Sequence, residues 1–302
     1  MHAATEKISI LRRISLRSIL YGFNLKRILA ITLVAIISAC SLKSVYNNLD
    51  YLIPSYVEGM VSLDDILEEH VDQRTQVLIN WHRNTQLQQY AALLSSFQRD
   101  FGPQLTEQRV FQHMSTMESL WQPLSEKLNE EMALLLPLLN DEQLEELFDS
   151  IDEKNEEFYD EYVDLDEEQL IEEYSEKLFD NYESWLGDLT RQQELIIEKA
   201  AYKFKTSAHL RLEQRRKWQS NIRQILYSED AADIKSERLR VFFKAFNSER
   251  EDALSAADEV NKQVIARLTV ELVHAASNEQ KQHFINVTDD YIRIFTELAE
   301  NR

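Results

Sequence analysis

Cysteine, glycine and proline are scarce in this sequence of 302 residues, which has one cysteine, four glycines and four prolines. A single thiol excludes an intrachain disulfide and any zinc site built from several cysteines. So few glycines also exclude the glycine-rich loops that hold phosphate groups. Sheets and long loops usually need more glycine and proline, whereas leucine, glutamate, glutamine, lysine and alanine dominate here. The composition therefore predicts an all-α protein.

The one cysteine, Cys40, follows the most apolar stretch of the chain. Lys26 and Arg27 precede an apolar run over residues 28–37, and two small residues separate that run from the cysteine. A membrane-spanning helix needs about 20 apolar residues, so this run is too short to be one. A basic lead, a short apolar centre and small residues at the end are typical of a secretory signal.

Ile37-Ser38-Ala39-Cys40 resembles the bacterial lipobox, in which diacylglycerol is attached to the thiol and the chain is cut before the cysteine. The resemblance implies a removed signal peptide over residues 1–39 and a lipidated tether over residues 40–61. Ser41 stands where many inner-membrane lipoproteins have aspartate, which favours the periplasmic face of the outer membrane. The alternative is an ordinary signal peptide with a cysteine there by chance.

The charge of the remaining chain is strongly negative. Removing residues 1–39 takes away six basic residues and one acidic residue, which leaves 27 Lys and Arg against 52 Asp and Glu, a net charge of about −25. Because such a field repels nucleic acid, we expect no nucleic-acid partner.

From Ser62 onward the apolar residues follow a helical period, and we predict one helical domain over residues 62–302, elongated and in one or two lobes. Gly102-Pro103 predicts a helix end, and Pro123 and Pro137 predict bends or breaks. We predict helices over residues 141–162, 167–185, 191–227, 233–246, 249–276 and 278–299. The predicted apolar face of the first helix after Ser62 has eight members: Leu63, Ile66, Leu67, His70, Val71, Val77, Leu78 and Trp81.

A short motif recurs at four predicted helix starts. Each copy has a capping residue followed three positions later by glutamine, which is the capping box, and three copies have a leucine before the cap. The copies are Leu139-Asn140-Asp141-Glu142-Gln143, Leu165-Asp166-Glu167-Glu168-Gln169, Leu189-Thr190-Arg191-Gln192-Gln193 and Ser277-Asn278-Glu279-Gln280. They resemble the Leu-Thr-x-x-Gln motif of periplasmic stress chaperones related to spheroplast protein Y, and Leu189, Thr190 and Gln193 match it fully. That resemblance implies binding of unfolded proteins, whereas the capping box alone implies four well-made helix starts.

A wider resemblance is to a group of uncharacterised Gram-negative lipoproteins that form a domain of unknown function. Its landmarks here are Tyr46-Asn47-Asn48-Leu49-Asp50, Trp81-His82-Arg83, Trp185-Leu186-Gly187-Asp188-Leu189-Thr190 through Gln193, and Arg215-Arg216-Lys217-Trp218. This resemblance implies a helical envelope lipoprotein and supplies no activity.

Two charged segments have more than one interpretation. Between Asp141 and Glu173, 17 of 33 residues are acidic, which favours a solvated helix face over a calcium site because no glycine turn is present. The segment 199–223 is basic and is suited to lipid headgroups, to an acidic partner, or to the acidic helices of its own chain.

Candidate catalytic residues are few. Glu271 and His274 have the spacing of di-iron ligands but are the only such pair, and His70 on an apolar face is typical of a structural histidine. We therefore predict no cofactor, no metal and no catalytic residue. The leading hypothesis is a non-enzymatic lipoprotein that binds an envelope protein or an unfolded client. The alternative is a helical enzyme or ligand-binding protein with a polar pocket at Trp81, His82 and Arg83.

Overall fold

The computed structural model of this chain describes residues 39–246 and 252–300. Residues 1–38 lie outside these ranges. They include all of the predicted signal peptide except Ala39, and the first two residues of the lipobox. Across these residues the chain is helical and contains no strand, so the predicted all-α class is confirmed. None of the described helices is both long and apolar enough to span a bilayer.

Twelve α-helices and one short 3-10 helix (Leu136–Leu138) make up the described part of the chain. The α-helices are α1 (Ala39–Asn47), α2 (Leu49–Glu58), α3 (Asp65–Thr85), α4 (Leu87–Asp100), α5 (Glu107–Leu135), α6 (Asp141–Tyr162), α7 (Glu167–Leu186), α8 (Arg191–Ala201), α9 (Ala208–Leu226), α10 (Ala232–Phe246), α11 (Asp252–His274) and α12 (Asn278–Glu300).

The longest helix, α5, connects two separate hydrophobic clusters. Val110 and Met114 near its start belong to a cluster shared with α7, α8, α11 and α12. Ala133 near its end belongs to a second cluster with α6, α9 and α10. The 29 residues of α5 span about 43 Å at 1.5 Å per residue. The helix continues across Pro123, so a break there is wrong and a bend stays a prediction, whereas α5 ends at Leu135, next to the 3-10 helix that contains Pro137.

The prediction of a single helix after Thr190 that reaches Tyr227 is also wrong. The chain leaves the helix after Ala201 and starts α9 at Ala208. Buried Asn261 of α11 accepts a hydrogen bond from the Lys205 backbone N–H at 2.7 Å and donates to its carbonyl at 3.0 Å. A side chain 56 residues away therefore satisfies backbone groups that a continuous helix would have paired.

The buried stripe of α3 differs from the predicted apolar face. Its buried residues repeat every fourth position: Leu67, Val71, Thr75 and Ile79. Ile66 is 71% exposed, and His70 is exposed rather than buried on an apolar face. Because α3 packs on α2, α4 and α5 along this one narrow stripe, the neighbouring apolar positions stay outside it.

The predicted tether over residues 40–61 consists mostly of helices α1 and α2, which are docked on the rest of the chain. Tyr46 of α1 is buried in a cluster with α4 and α12, and Lys43 forms an ion pair of 2.7 Å with Glu297. At the other end, Ser62 donates from its backbone N–H to Glu146 at 2.6 Å. The segment is therefore held at both ends.

Candidate functional site

All four copies of the recurring motif begin helices in the structure. In each, the cap side chain accepts from the backbone N–H of the glutamine, while the glutamine Oε1 accepts from the backbone N–H of the cap. The pairs are Asn140 with Gln143 at α6, Asp166 with Gln169 at α7, Thr190 with Gln193 at α8, and Ser277 with Gln280 at α12.

Two of these capping boxes are joined to each other. The Nε2 of Gln193 donates to the Oε1 of Gln280 at 3.0 Å, and the Nε2 of Gln280 donates to the Oε1 of Gln193 at 2.9 Å. Gln280 also donates to the backbone carbonyl of Asp188 at 2.9 Å. Each Oε1 still accepts from its own cap, Thr190 or Ser277, at 2.9 and 3.0 Å. The starts of α8 and α12 are thus held together by two hydrogen bonds between the side-chain amides of Gln193 and Gln280.

The turn before α8 brings its capping box into position. Gly187 has φ 74°, a left-handed conformation that favours glycine, and a Cβ there would lie 3.4 Å from the His283 ring. Trp185, two residues earlier, has its ring centroid 5.9 Å from that of Tyr291. Leu189 packs against the larger hydrophobic cluster. The Trp185-to-Gln193 landmark is therefore the connection that aligns α8 with α7 and α12.

Burial decides how the Leu-Thr-x-x-Gln motif works. Gln193 is 0% exposed, so its amide faces the interior of the protein, although Thr190 is on the surface. A client could not contact that amide without separating α8 from α12. We assign the motif to helix initiation and helix packing.

The second predicted site, at Trp81, His82 and Arg83, is a contact between α1, α3 and α4. The Tyr46 hydroxyl lies 3.0 Å from the Nδ1 of His82, and the Tyr90 hydroxyl lies 3.3 Å from its Nε2. A neutral imidazole donates from one nitrogen and accepts at the other. Each nitrogen of His82 has a tyrosine hydroxyl as its partner. The Arg83 guanidinium is 5.6 Å from the centre of the Tyr46 ring, and Trp81 is half-buried. His82 therefore connects α1 to α3 and α4.

Burial lowers the pKa of His82 from 6.5 to about 4. Because the unfolded chain takes up a proton near pH 6.5 and the folded chain does not, stability should fall as pH decreases from about 6.5 towards 4. We expect this loss between pH 7 and 4.5 to be about 2 kcal/mol smaller in His82→Gln, which keeps a polar side chain but does not titrate. Urea unfolding at the two pH values measures the difference, with exposed His209→Gln as control. Equal pH dependence in wild type and His82→Gln would contradict this role.

A groove of about 500 Å³ lies between α7 and α8. Its apolar lining is Phe179 and Ile197, and its carboxylates are Glu176, Asp180, Glu194 and Glu198. Arg191 pairs with the last two carboxylates at 2.8 and 3.3 Å, so acidic groups remain in excess. Glu176 and Asp180 are exposed on α7. A groove lined by both apolar and acidic side chains is suited to a segment that is both basic and apolar.

The basic segment contacts the acidic helix of its own chain. Helix α9 packs on α6, and Arg223 lies 3.3 Å from Asp152. The Arg215 guanidinium lies 4.4 Å from the centre of the Phe158 ring. Of the interpretations left open by the sequence, these contacts favour the one in which the two charged helices pair.

His274 of the Glu-x-x-His pair makes a structural contact rather than one typical of a metal site. The Nε2 of His274 lies 3.0 Å from the carbonyl oxygen of Leu105, a structural contact between α11 and the loop before α5. Within residues 39–246 and 252–300, no group of three or more metal-ligating side chains lies close enough to hold an ion.

The sequence alone did not reveal the groove or one polar cluster around the buried His113. In that cluster the Oδ2 of Asp100 lies 2.6 Å from the Nε of Arg109 and 2.7 Å from the Nε2 of His113, which is 4% exposed. Arg109 and His113 are four residues apart, which places them on one helix face and is the only local signal. The groove also had a weak signal, because its acids are spaced by four on two helices, but which helices pair is not a local property.

The structure thus describes an all-α protein whose recurring sequence motifs hold helix ends and neighbouring helices together. The chain belongs to a family of unknown function, DUF6279, whose model matches residues 60–243. The landmarks at Trp81, Trp185 and Trp218 lie inside this range, whereas Tyr46 and Cys40 lie before it. No curated protein and no solved structure matches the chain.

Proposed function

We propose that this protein is a lipoprotein of the cell envelope that binds another protein and is not an enzyme. Cys40 carries the lipid and anchors the helical domain at the periplasmic face of the outer membrane. The groove between α7 and α8 accepts a basic and apolar segment of the partner. The observation that carries the binding proposal is the groove itself, whose lining combines four carboxylates with Phe179 and Ile197.

The chemistry of the groove supports a protein as the ligand. Carboxylate walls attract lysine and arginine side chains, and a partly exposed Phe179 offers an apolar contact next to them. A segment of an envelope protein or of an unfolded client supplies both kinds of side chain along one chain. The net charge of about −25 after loss of residues 1–39 strengthens the attraction for basic segments.

The ligand-pocket hypothesis at Trp81, His82 and Arg83 receives less support. Both nitrogens of His82 are hydrogen-bonded to tyrosine hydroxyls, and these contacts connect α3 to α1 and α4. No contact in this cluster favours a small-molecule ligand over a structural role, and we do not propose a site there.

A charge-reversal pair tests the groove. We expect Glu176→Lys with Asp180→Lys to weaken binding of a fluorescent peptide of alternating lysine and leucine at least about tenfold, a change of ~1.4 kcal/mol. Asp149→Lys with Glu153→Lys, also exposed and four residues apart on α6, changes the net charge equally and should have a much smaller effect. Fluorescence anisotropy measures both affinities.

The control separates the groove from the overall negative charge. Equal weakening by both pairs would mean that the peptide senses only the net charge, and no binding by the wild type would contradict a groove for basic segments. The same variants in an aggregation assay with a chemically denatured client distinguish an unfolded client from a folded partner.

A further inference from the structure

Helix α2 is the most weakly buried apolar segment close to the proposed lipid. Seven of its ten residues are apolar or aromatic, yet none of the ten is buried. Tyr51 is 71% exposed, and residues 52–54 and 56–57 are half-buried on α3 and α1. A helix with this composition normally covers more of its apolar surface.

The position of α2 places it next to the membrane if Cys40 is lipidated. Helix α1 runs from Ala39 to Asn47, so α2 begins only about 10–15 Å from Cys40 at 1.5 Å per residue. Contacts of Lys43 and Tyr46 hold α1 on the domain, and those of Ser62 hold the chain after α2. Because both ends are fixed, α2 cannot move far from the headgroups to which the lipid brings it.

The charge distribution agrees with this placement. Residues 41–61 contain only three charged side chains, Lys43, Asp50 and Glu58, and none lies between 51 and 57. Acidic residues are concentrated elsewhere, above all in α6 and α7. The segment next to the proposed lipid attachment site therefore carries little charge of its own.

We propose that α2 lies in the headgroup layer of the membrane, with Tyr51 directed towards the lipids. This inference rests on the proposed lipid anchor at Cys40. Tyrosine is favoured at membrane interfaces because its ring is apolar and its hydroxyl is hydrated. Asp50 and Glu58 are exposed in the first and last turns of the same helix, and their carboxylates reach the hydrated outer part of the headgroup layer. The lipid and α2 together give the domain a fixed orientation on the membrane, which a lipid on a loose tether would not give.

The test uses the full-length protein purified from membranes and placed in vesicles of phosphatidylethanolamine and phosphatidylglycerol. Cys40 is the only cysteine, so once it is acylated an introduced cysteine is the only free thiol. Tyr51→Cys and Ser55→Cys, one turn further along, carry a fluorophore. Tyr202→Cys is the matched control, because Tyr202 is 72% exposed on the segment after α8.

We expect lipids with nitroxide groups near the headgroup to quench the labels at positions 51 and 55 at least twofold more strongly than the label at 202. Equal quenching at all three positions, in protein whose acyl groups are confirmed by mass spectrometry, would overturn the inference and leave the lipid anchor intact. A protein that lacks acyl groups and stays off the vesicles would overturn the proposed anchor and this inference with it.

Discussion

Replacing Gln193 by alanine should lower the free energy of unfolding by about 3 kcal/mol, since each buried polar group left without a partner costs about 1–3 kcal/mol. The change removes the acceptor of the Thr190 N–H and, in the interior, one hydrogen-bond partner each from the Nε2 and the Oε1 of Gln280. Chemical denaturation followed by circular dichroism measures the loss. Gln169→Ala is the matched control, because Gln169 closes the same capping box on the surface. It should cost less than about 1 kcal/mol.

A double-mutant cycle isolates the bond between the two boxes. If Gln193 and Gln280 act as one unit, the double alanine variant should be more stable than the sum of the single losses predicts, by about 1–3 kcal/mol. Strictly additive losses, or a loss in Gln193→Ala no larger than in Gln169→Ala, would contradict the paired-amide account. If Gln193→Ala instead keeps its stability but no longer protects an unfolded client, the motif recognises clients.

Replacing Cys40 by serine should abolish lipidation completely. The sequence contains no other thiol that could accept the diacylglycerol, so the variant should remain an unlipidated precursor. Incorporation of labelled palmitate measures the change. Normal labelling of the Cys40→Ser protein would contradict the lipobox assignment.

The neighbouring residue offers a control that separates lipidation from sorting. Ser41→Asp keeps the thiol and places an aspartate where many inner-membrane lipoproteins have one. We expect this variant to incorporate palmitate normally but to fractionate with the inner membrane. An outer-membrane location for both wild type and Ser41→Asp would contradict the sorting argument without affecting the lipid anchor.

Local signals predicted most of the helices, because most helix ends here depend on nearby residues. Helix α6 has the predicted bounds, and α7 and α12 each extend one residue further than predicted. Each of these three helices begins with a capping box, which is complete within four residues of sequence. The predictions that failed concerned features that depend on contacts with distant residues. The break after Ala201 depends on Asn261, and the docking of α1 depends on partners in α3 and α12.

The candidate sites, too, were predictable where nearby residues determine them and not where distant residues do. The capping residues Thr190 and Gln193 were predictable, but their burial and their bond to Gln280, 87 residues away, were not. The sequence pointed to His82 as part of a polar pocket, whereas the structure places it between two tyrosines from other helices. Helical periodicity identifies a face of each helix but not its partner, so the groove between α7 and α8 required the tertiary structure.

Mass spectrometry of the intact protein extracted from membranes tests whether the helical domain is anchored by a lipid. We expect a chain that begins at Cys40 and is heavier than residues 40–302 by at least one diacylglyceryl group. A membrane-derived chain that retains residues before Cys40, or that begins there with a free thiol, would contradict it.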